Sequence, residues 1–254
     1  MANYLITGVS SGIGRELATT LVKQNHRVFG IARRKELLQS LKSETGKSNR
    51  FDFLDVDIAL EGAWGKIITA MVKNKFSPDV IVFNAATFEK DYLGKELDLS
   101  QTRKTFEVNF FSIISGFEET IKVANPNTQF IFISSSSALK GSGAEGVGYP
   151  ASKAALSVAF ESLYQKYRGK HQLKLIYFGP IHTDMLPFKS QFTPVLSKAQ
   201  AVKKIIQTVQ SHQAIIYYPS ILFLFLKAIK LLPVSIYLTI LNQIDILHIK
   251  SSHK

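Results

Sequence analysis

Short runs of β-branched and aromatic residues alternate with longer segments of helical periodicity along most of the chain. This alternation constrains the fold more than any other feature. Strands are predicted over 3–7, 27–31, 51–55, 79–84, 129–134, 173–178 and 214–218. Helices are predicted over 13–24, 35–43, 59–74, 101–124, 148–168 and 198–211. Strands separated by helices of this length need crossover connections, so they run parallel in a sheet covered on both faces. Right-handed crossovers then give a doubly wound α/β fold. The 254 residues, 46% hydrophobic, suffice for one sizeable core. No repeat or long Pro/Gly/Ser linker divides them, so one domain over 1–254 is expected, with 219–247 as an apolar helical extension.

Thr7-Gly8-Val9-Ser10-Ser11-Gly12-Ile13-Gly14 follows the first strand and opens the first helix. Free backbone N–H groups at a helix N-terminus make this the place for a pyrophosphate. Gly8 allows the tight turn, Gly12 a close backbone approach, and Gly14 close packing of helix on strand. Ser10, Ser11 and Ile13 share the cradle. The placement makes the sheet Rossmann-type, with about seven strands. A cofactor with a free ribose 2′-OH usually meets an acid about 20 residues further on. The second strand instead ends in Arg33 and Arg34, with no acid before Glu36. Guanidinium forks suit a 2′-phosphate, which favours NADP(H) over NAD(H).

Tyr149 and Lys153 stand four apart at the start of a helical pattern, on one face and one turn from each other. An ammonium beside a phenol stabilises its anion, so the phenol can give and take a proton near neutral pH. The spacing alone is common. Its position downstream of a dinucleotide loop gives it weight.

With these residues in place, the chain resembles the short-chain dehydrogenase/reductase family, in its one-domain branch, over residues 3–218. The segment 7–14 is similar to the family's cofactor loop. Asp55-Val56 resembles its adenine-contacting motif, and Asn84-Ala85-Ala86 its Asn-Ala-Gly loop, with Phe83 and Ala86 as departures. Asn109 is similar to the active-site asparagine, and Tyr149 with Lys153 matches the central pair. Gly179, Ile181 and Thr183 resemble the segment over the nicotinamide, with Phe178 where proline is usual. Two serines compete for the active-site position. Small residues at Ala138 and Gly141 select Ser135, whereas a gap of 13 residues to the tyrosine selects Ser136. Ser135 is favoured, because the glycine-rich 141–148 loop tolerates an insertion.

The resemblance implies an NADP(H)-dependent oxidoreductase interconverting a carbonyl and a secondary alcohol. Tyr149 would donate the proton, Ser135 hold the same oxygen, Lys153 also bind the nicotinamide ribose, and Asn109 keep a water chain. It also implies a small-molecule carbonyl or alcohol substrate and a homo-oligomer, dimer or tetramer. The alternative is a catalytically silent NADP(H)-binding sensor or scaffold. An epimerase or dehydratase on the same sheet is disfavoured by the short length and the glycine spacing.

The formal charge is +12, and from Lys189 onward eight lysines face one acid, Asp245. This excess lacks the arginine-rich or aromatic-interleaved pattern of nucleic-acid binders, so no nucleic-acid partner is expected. The absence of cysteine excludes disulfides and thiolate chemistry. The six histidines are scattered, and no metal site is expected. The first strand begins at residue 3, leaving no room for a signal peptide, so a cytoplasmic location is expected.

Residues 219–241 are the remaining puzzle. The interval from Pro219 to Pro233 is too short to span a bilayer as one helix. Lys227 and Lys230 suit an interfacial helix, which would make the protein peripheral on a membrane. A helix pair there could instead complete the core, roof the pocket or dock a second subunit, and a span kinked at Pro233 is the third reading. The first two both point to a hydrophobic substrate, with specificity carried by 184–200 and 219–245.

Overall fold

The computed structural model describes residues 1–46, 49–89, 91, 96–141, 145–183 and 195–252. Among them seven strands form one sheet: β1 (Asn3–Thr7), β2 (Arg27–Ala32), β3 (Phe51–Asp55), β4 (Val80–Phe83), β5 (Gln129–Ser135), β6 (Gln172–Phe178) and β7 (Ile215–Tyr218). Every pairing is parallel, in the order β3-β2-β1-β4-β5-β6-β7. The chain starts in the middle, builds outward to β3, then crosses back to lay β4 beside β1. The connections at the carboxyl ends of β1 and β4 therefore leave in opposite directions and open a crevice between them.

Period-two alternation sorts the core into two layers. Tyr4 and Ile6 of β1 point to one face and join Leu17 of α1 (Gly12–Lys23), Leu38 of α2 (Lys35–Glu44) and Val202 of α7 (Lys198–Gln210). Leu5, between them, points to the other face. There it meets Trp64 of α3 (Ala63–Lys73), Phe117 of α5 (Ser112–Ile121) and Phe160 of α6 (Gly148–Tyr167). This second layer is aromatic: Phe132 packs 5.0 Å from Phe83 and 5.7 Å from Phe160, centroid to centroid. Truncating such a ring to alanine costs about 3–5 kcal/mol.

Two helices differ from the periodicity. The one predicted from residue 59 starts at Ala63, because Gly62 takes φ +72° at its N-cap, and Asp57 holds the preceding turn through Ala59 N–H at 3.1 Å. The one predicted over 101–124 is interrupted. It runs as α4 (Leu99–Phe106), a π-helical turn at Glu107–Phe111, and then α5. A buried lysine caps α7: Lys174 Nζ of β6 donates to Thr208 O at 2.8 Å and Val209 O at 2.9 Å. It thereby satisfies carbonyls that a helix end leaves open.

After β7 come α8 (Ser220–Ile229) and α9 (Val234–Ser252), with Pro233 between them. Phe223 reaches the aromatic layer, while Leu226, Ile229 and Leu241 form a small separate cluster. No helix among the described residues is long and apolar enough to cross a membrane, which counts against the spanning reading.

Candidate active site

A cleft of about 310 Å³ opens at the carboxyl ends of the central strands. One wall is made by the glycine loop. Gly8 takes φ +79° and donates its N–H to Ile31 O at 2.7 Å. A Cβ there would stand 2.8 Å from Ala85 Cα, and a Cβ on Gly14 would overlap Gly8 O. Gly14 thus holds helix against loop rather than lining the cleft. Gly12, at φ +57°, has only Thr183 Cγ2 within reach among the described residues, at 3.8 Å. Ser11 is the N-cap of α1 but makes no side-chain cap, and the first turn carries no acid. No carboxylate in the first turn of α1 offsets the positive helix end, and the residues present fit a dinucleotide pyrophosphate.

Thr7 Oγ1 accepts from Asn84 N at 3.1 Å and Ala85 N at 3.0 Å, and Asn84 Nδ2 donates to Thr7 O at 3.0 Å. These bonds lock β1 to the loop after β4, where Ala85 and Ala86 line the cleft. Arg34 Nη2 donates to Ser10 Oγ at 2.9 Å and Ser11 Oγ at 2.7 Å, which brings its guanidinium over the loop. Arg33, also on the cleft, pairs with Asp57 at 3.3 Å. One expectation is corrected here. Asp55 is exposed at the end of β3 and does not line the cleft; Val56, Asp57 and Ile58 do, because the chain turns inward only after the strand ends. Phe83, the departure from the family loop, does not line the cleft. Strand alternation sends its ring into the aromatic layer against Trp64 and Phe132.

The opposite wall carries the Tyr–Lys pair at the start of α6. Pro150 falls in its first turn, where a missing N–H costs nothing. Lys153 is 2% exposed; its Nζ donates to Ile133 O at 3.0 Å and stands 5.9 Å from the Tyr149 ring centroid. Burial lowers its pKa to about 8. The Ser135 side chain faces the Tyr149 phenol, and Phe88 packs edge-on against its ring at 5.3 Å. Burial, and then the Glu145 carboxylate, push this phenol up to about 12, against the opposing pull of the Ser135 hydroxyl. The stabilised anion expected from the Tyr–Lys spacing is therefore not what the free site holds. Tyr149 is a neutral phenol, a proton donor in waiting.

Of the two competing serines, Ser135 reaches Tyr149. Its Oγ also accepts from Ser137 N at 3.2 Å, which fixes it at the strand end. Ser134 and Ser136 also border the cleft, but the Ser134 hydroxyl is engaged with Ser157 Oγ at 3.1 Å. Gly179, Ile181 and Thr183 line the floor with Phe178. Residues 184–194, part of the expected specificity segment, and residues 142–144 of the glycine-rich loop lie outside the described residues.

Asn109 is fully buried in the π-helical turn. Its Oδ1 accepts from Thr87 N at 2.8 Å, and its Nδ2 donates to Thr87 O at 2.9 Å and Ser152 Oγ at 3.2 Å. Both amide hydrogens are thus committed to the protein, tying the loop after β4 to the Tyr149 helix. Asn109 positions the site rather than lining it.

Asp91 is a site residue that no sequence signal marks. It is 1% exposed and accepts from Gly148 N at 2.6 Å, Thr102 Oγ1 at 2.7 Å and Val147 N at 3.1 Å. A carboxylate from a distant loop therefore caps the helix that carries Tyr149, one residue before it. A Cβ on Gly146 would overlap this carboxylate, which explains the glycine. Glu145 also lines the cleft, 3.5 Å from Lys140 Nζ.

A glycine loop at the switch point of a doubly wound sheet, facing a Tyr–Lys pair across one cleft, defines a dinucleotide-binding protein of the oxidoreductase type. The chain belongs to the short-chain dehydrogenase family: the family model described as short chain dehydrogenase matches residues 2–193. It is 31% identical over 183 residues to an NADPH-dependent pterin aldehyde reductase of Arabidopsis thaliana, covering 72% of this chain and 76% of that one. It is 32% identical over 190 residues to an uncharacterized oxidoreductase of Saccharomyces cerevisiae, covering 71% of each. Its fold matches the closed form of a serine dehydrogenase complexed with NADP+ at a TM-score of 0.75, with 17% identity, over 85% of this chain and 93% of that one.

Proposed function

We propose that this protein is an NADP(H)-dependent reductase or dehydrogenase that interconverts a carbonyl and a secondary alcohol on a hydrophobic small molecule. The observation that carries the reading is the neutral Tyr149 phenol, facing Ser135 and one helical turn from a buried Lys153, in the same cleft as the glycine loop. Gly8, Gly12 and the N-terminus of α1 would hold the pyrophosphate, and Ser10, Ser11, Arg33 and Arg34 the 2′-phosphate. The NADPH dependence named for the Arabidopsis relative supports that choice. When bound, the cofactor supplies or accepts the hydride.

The chain's own residues handle the proton. In reduction, Tyr149 donates its hydroxyl proton to the carbonyl oxygen as negative charge grows there. Ser135 holds that oxygen in line. Lys153, an ammonium in a dry setting, stabilises the phenolate left behind. Asn109 and Asp91 keep the helix start in place. Phe88 and Phe178 give the substrate side an apolar surface.

The test is Tyr149→Phe. NADPH-driven turnover of a responsive carbonyl should fall by about 10²–10⁴-fold. NADPH binding, read by fluorescence, should stay within about twofold. Full activity in the variant would overturn the proposal. A wild-type protein that oxidises no NADPH across a broad carbonyl panel would leave the sensor reading standing.

A further inference from the structure

The outer surface of α8 and the start of α9 has no partner among the described residues. Ile221, Leu224, Phe225 and Ala228 follow the i, i+3, i+4, i+7 spacing of one helix face, and all four are exposed. Leu224 is 68% and Phe225 50% exposed, while Phe223, Leu226 and Ile229 between them are buried. The apolar surface continues past the helix end through Leu231 at 88% and Val234 at 72%. A folded monomer rarely displays so much contiguous apolar surface without an occupant.

The charge around this surface decides between occupants. From Pro219 to Ile244, the segment that carries the stripe, the chain has two lysines and no acidic residue. Lys227 lies over the Tyr217 ring at 3.9 Å, and Lys230 is exposed beside Leu231. A second copy docked here about a two-fold axis would set lysine against lysine, with no carboxylate from either segment to neutralise them. An anionic lipid surface provides both complements at once, acyl chains for the stripe and headgroup charge for the lysines.

We infer that α8 and the first turns of α9 dock this protein on the surface of an anionic bilayer, lying in the interface without crossing it. The surface is coupled to the cleft. A Cβ on Gly179, which lines the cleft, would meet Leu222 Cδ2 of α8 at 2.9 Å. Through its inner side, at Leu222, the helix that carries the stripe thus packs directly on a residue of the cleft lining. The docking itself does not rest on the catalytic reading, because it is measured without turnover.

The experiment is sedimentation of the full chain with vesicles of phosphatidylcholine alone, and with vesicles in which about one lipid in three is phosphatidylserine. The anionic vesicles should bind about tenfold more tightly than the neutral ones, and added salt should erode the difference. Leu224→Glu with Phe225→Glu should weaken binding by about tenfold or more. Val234→Glu with Leu238→Glu, on the neighbouring helix, should act in the same direction. Both pairs are exposed, so circular dichroism should show an unchanged fold. Equal vesicle binding by wild type and both variants would overturn the inference, as would no binding by wild type. So would a dimer, seen by light scattering, that ignores vesicles and falls apart in the Leu224→Glu/Phe225→Glu variant, since a second copy would then own this face.

Discussion

The two walls of the cleft are built on different principles. The nucleotide wall is local and made mainly of backbone: Gly8, Gly12 and Gly14 lie within one turn, and Thr7 and Asn84 clamp it across adjacent strands. The catalytic wall is assembled from afar. Tyr149 is fixed by Asp91 from 58 positions earlier, Lys153 leans on a carbonyl of β5, and Asn109 ties in the loop after β4. A wall of backbone can be read and tolerates few substitutions. A wall of imported side chains can be adjusted piece by piece, and its failures should appear in chemistry before binding.

That contrast can be broken. Asp91→Ala leaves the N–H groups of Val147 and Gly148 without their acceptor and loosens the start of α6. We expect kcat to fall about 10- to 100-fold, with NADPH affinity within about threefold. Asp91→Asn, which keeps one acceptor oxygen, should recover part of the loss. Equal losses in kcat and in NADPH affinity would show that the walls are one unit. On the other wall, Arg34→Ala should weaken NADPH about tenfold, leave NADH nearly untouched and spare kcat. Indifference of NADPH affinity to this change would remove the 2′-phosphate site from the glycine-loop side.

The smallest effect concerns Lys153, which stands beside Tyr149 on the catalytic wall. Its pKa is lowered to about 8, so its positive charge is present below that value and lost as pH rises through it. Tyr149, raised to about 12, keeps its proton throughout. Reduction should therefore be level below pH 8 and decline above it, by less than about tenfold between pH 7 and pH 9. A kcat/KM profile flat to about pH 10 would mean that the ammonium is dispensable for the proton step.

The sheet was legible because buried parallel strands and their covering helices write two distinct periods, and all seven predicted strands match observed ones. The glycine loop was legible because backbone conformation demands particular residues. Asp55 misled because a motif marks a neighbourhood, while the turn after β3 decides that Asp57 faces inward. Asp91 and Glu145 were invisible for another reason. Single carboxylates in loops carry no periodicity, and only the folded chain brings them to Tyr149. The π-helical turn was equally hidden, since its effect on an apolar pattern is a shift of one residue.

That shift has a consequence for how this helix can vary. Each residue of a regular α-helix advances the side-chain direction by about 100°. The wide turn at Glu107–Phe111 holds one residue more than a regular turn would, so it acts as a phase shifter between two faces of one long rod. Upstream, α4 presents Thr102 to Asp91; downstream, α5 presents Phe117 to the aromatic layer. Point substitutions on either side leave this timing intact. Loss of a single residue from the turn would close it into a regular helix and swing one of the two faces out of step, with Asn109 carried away from Thr87.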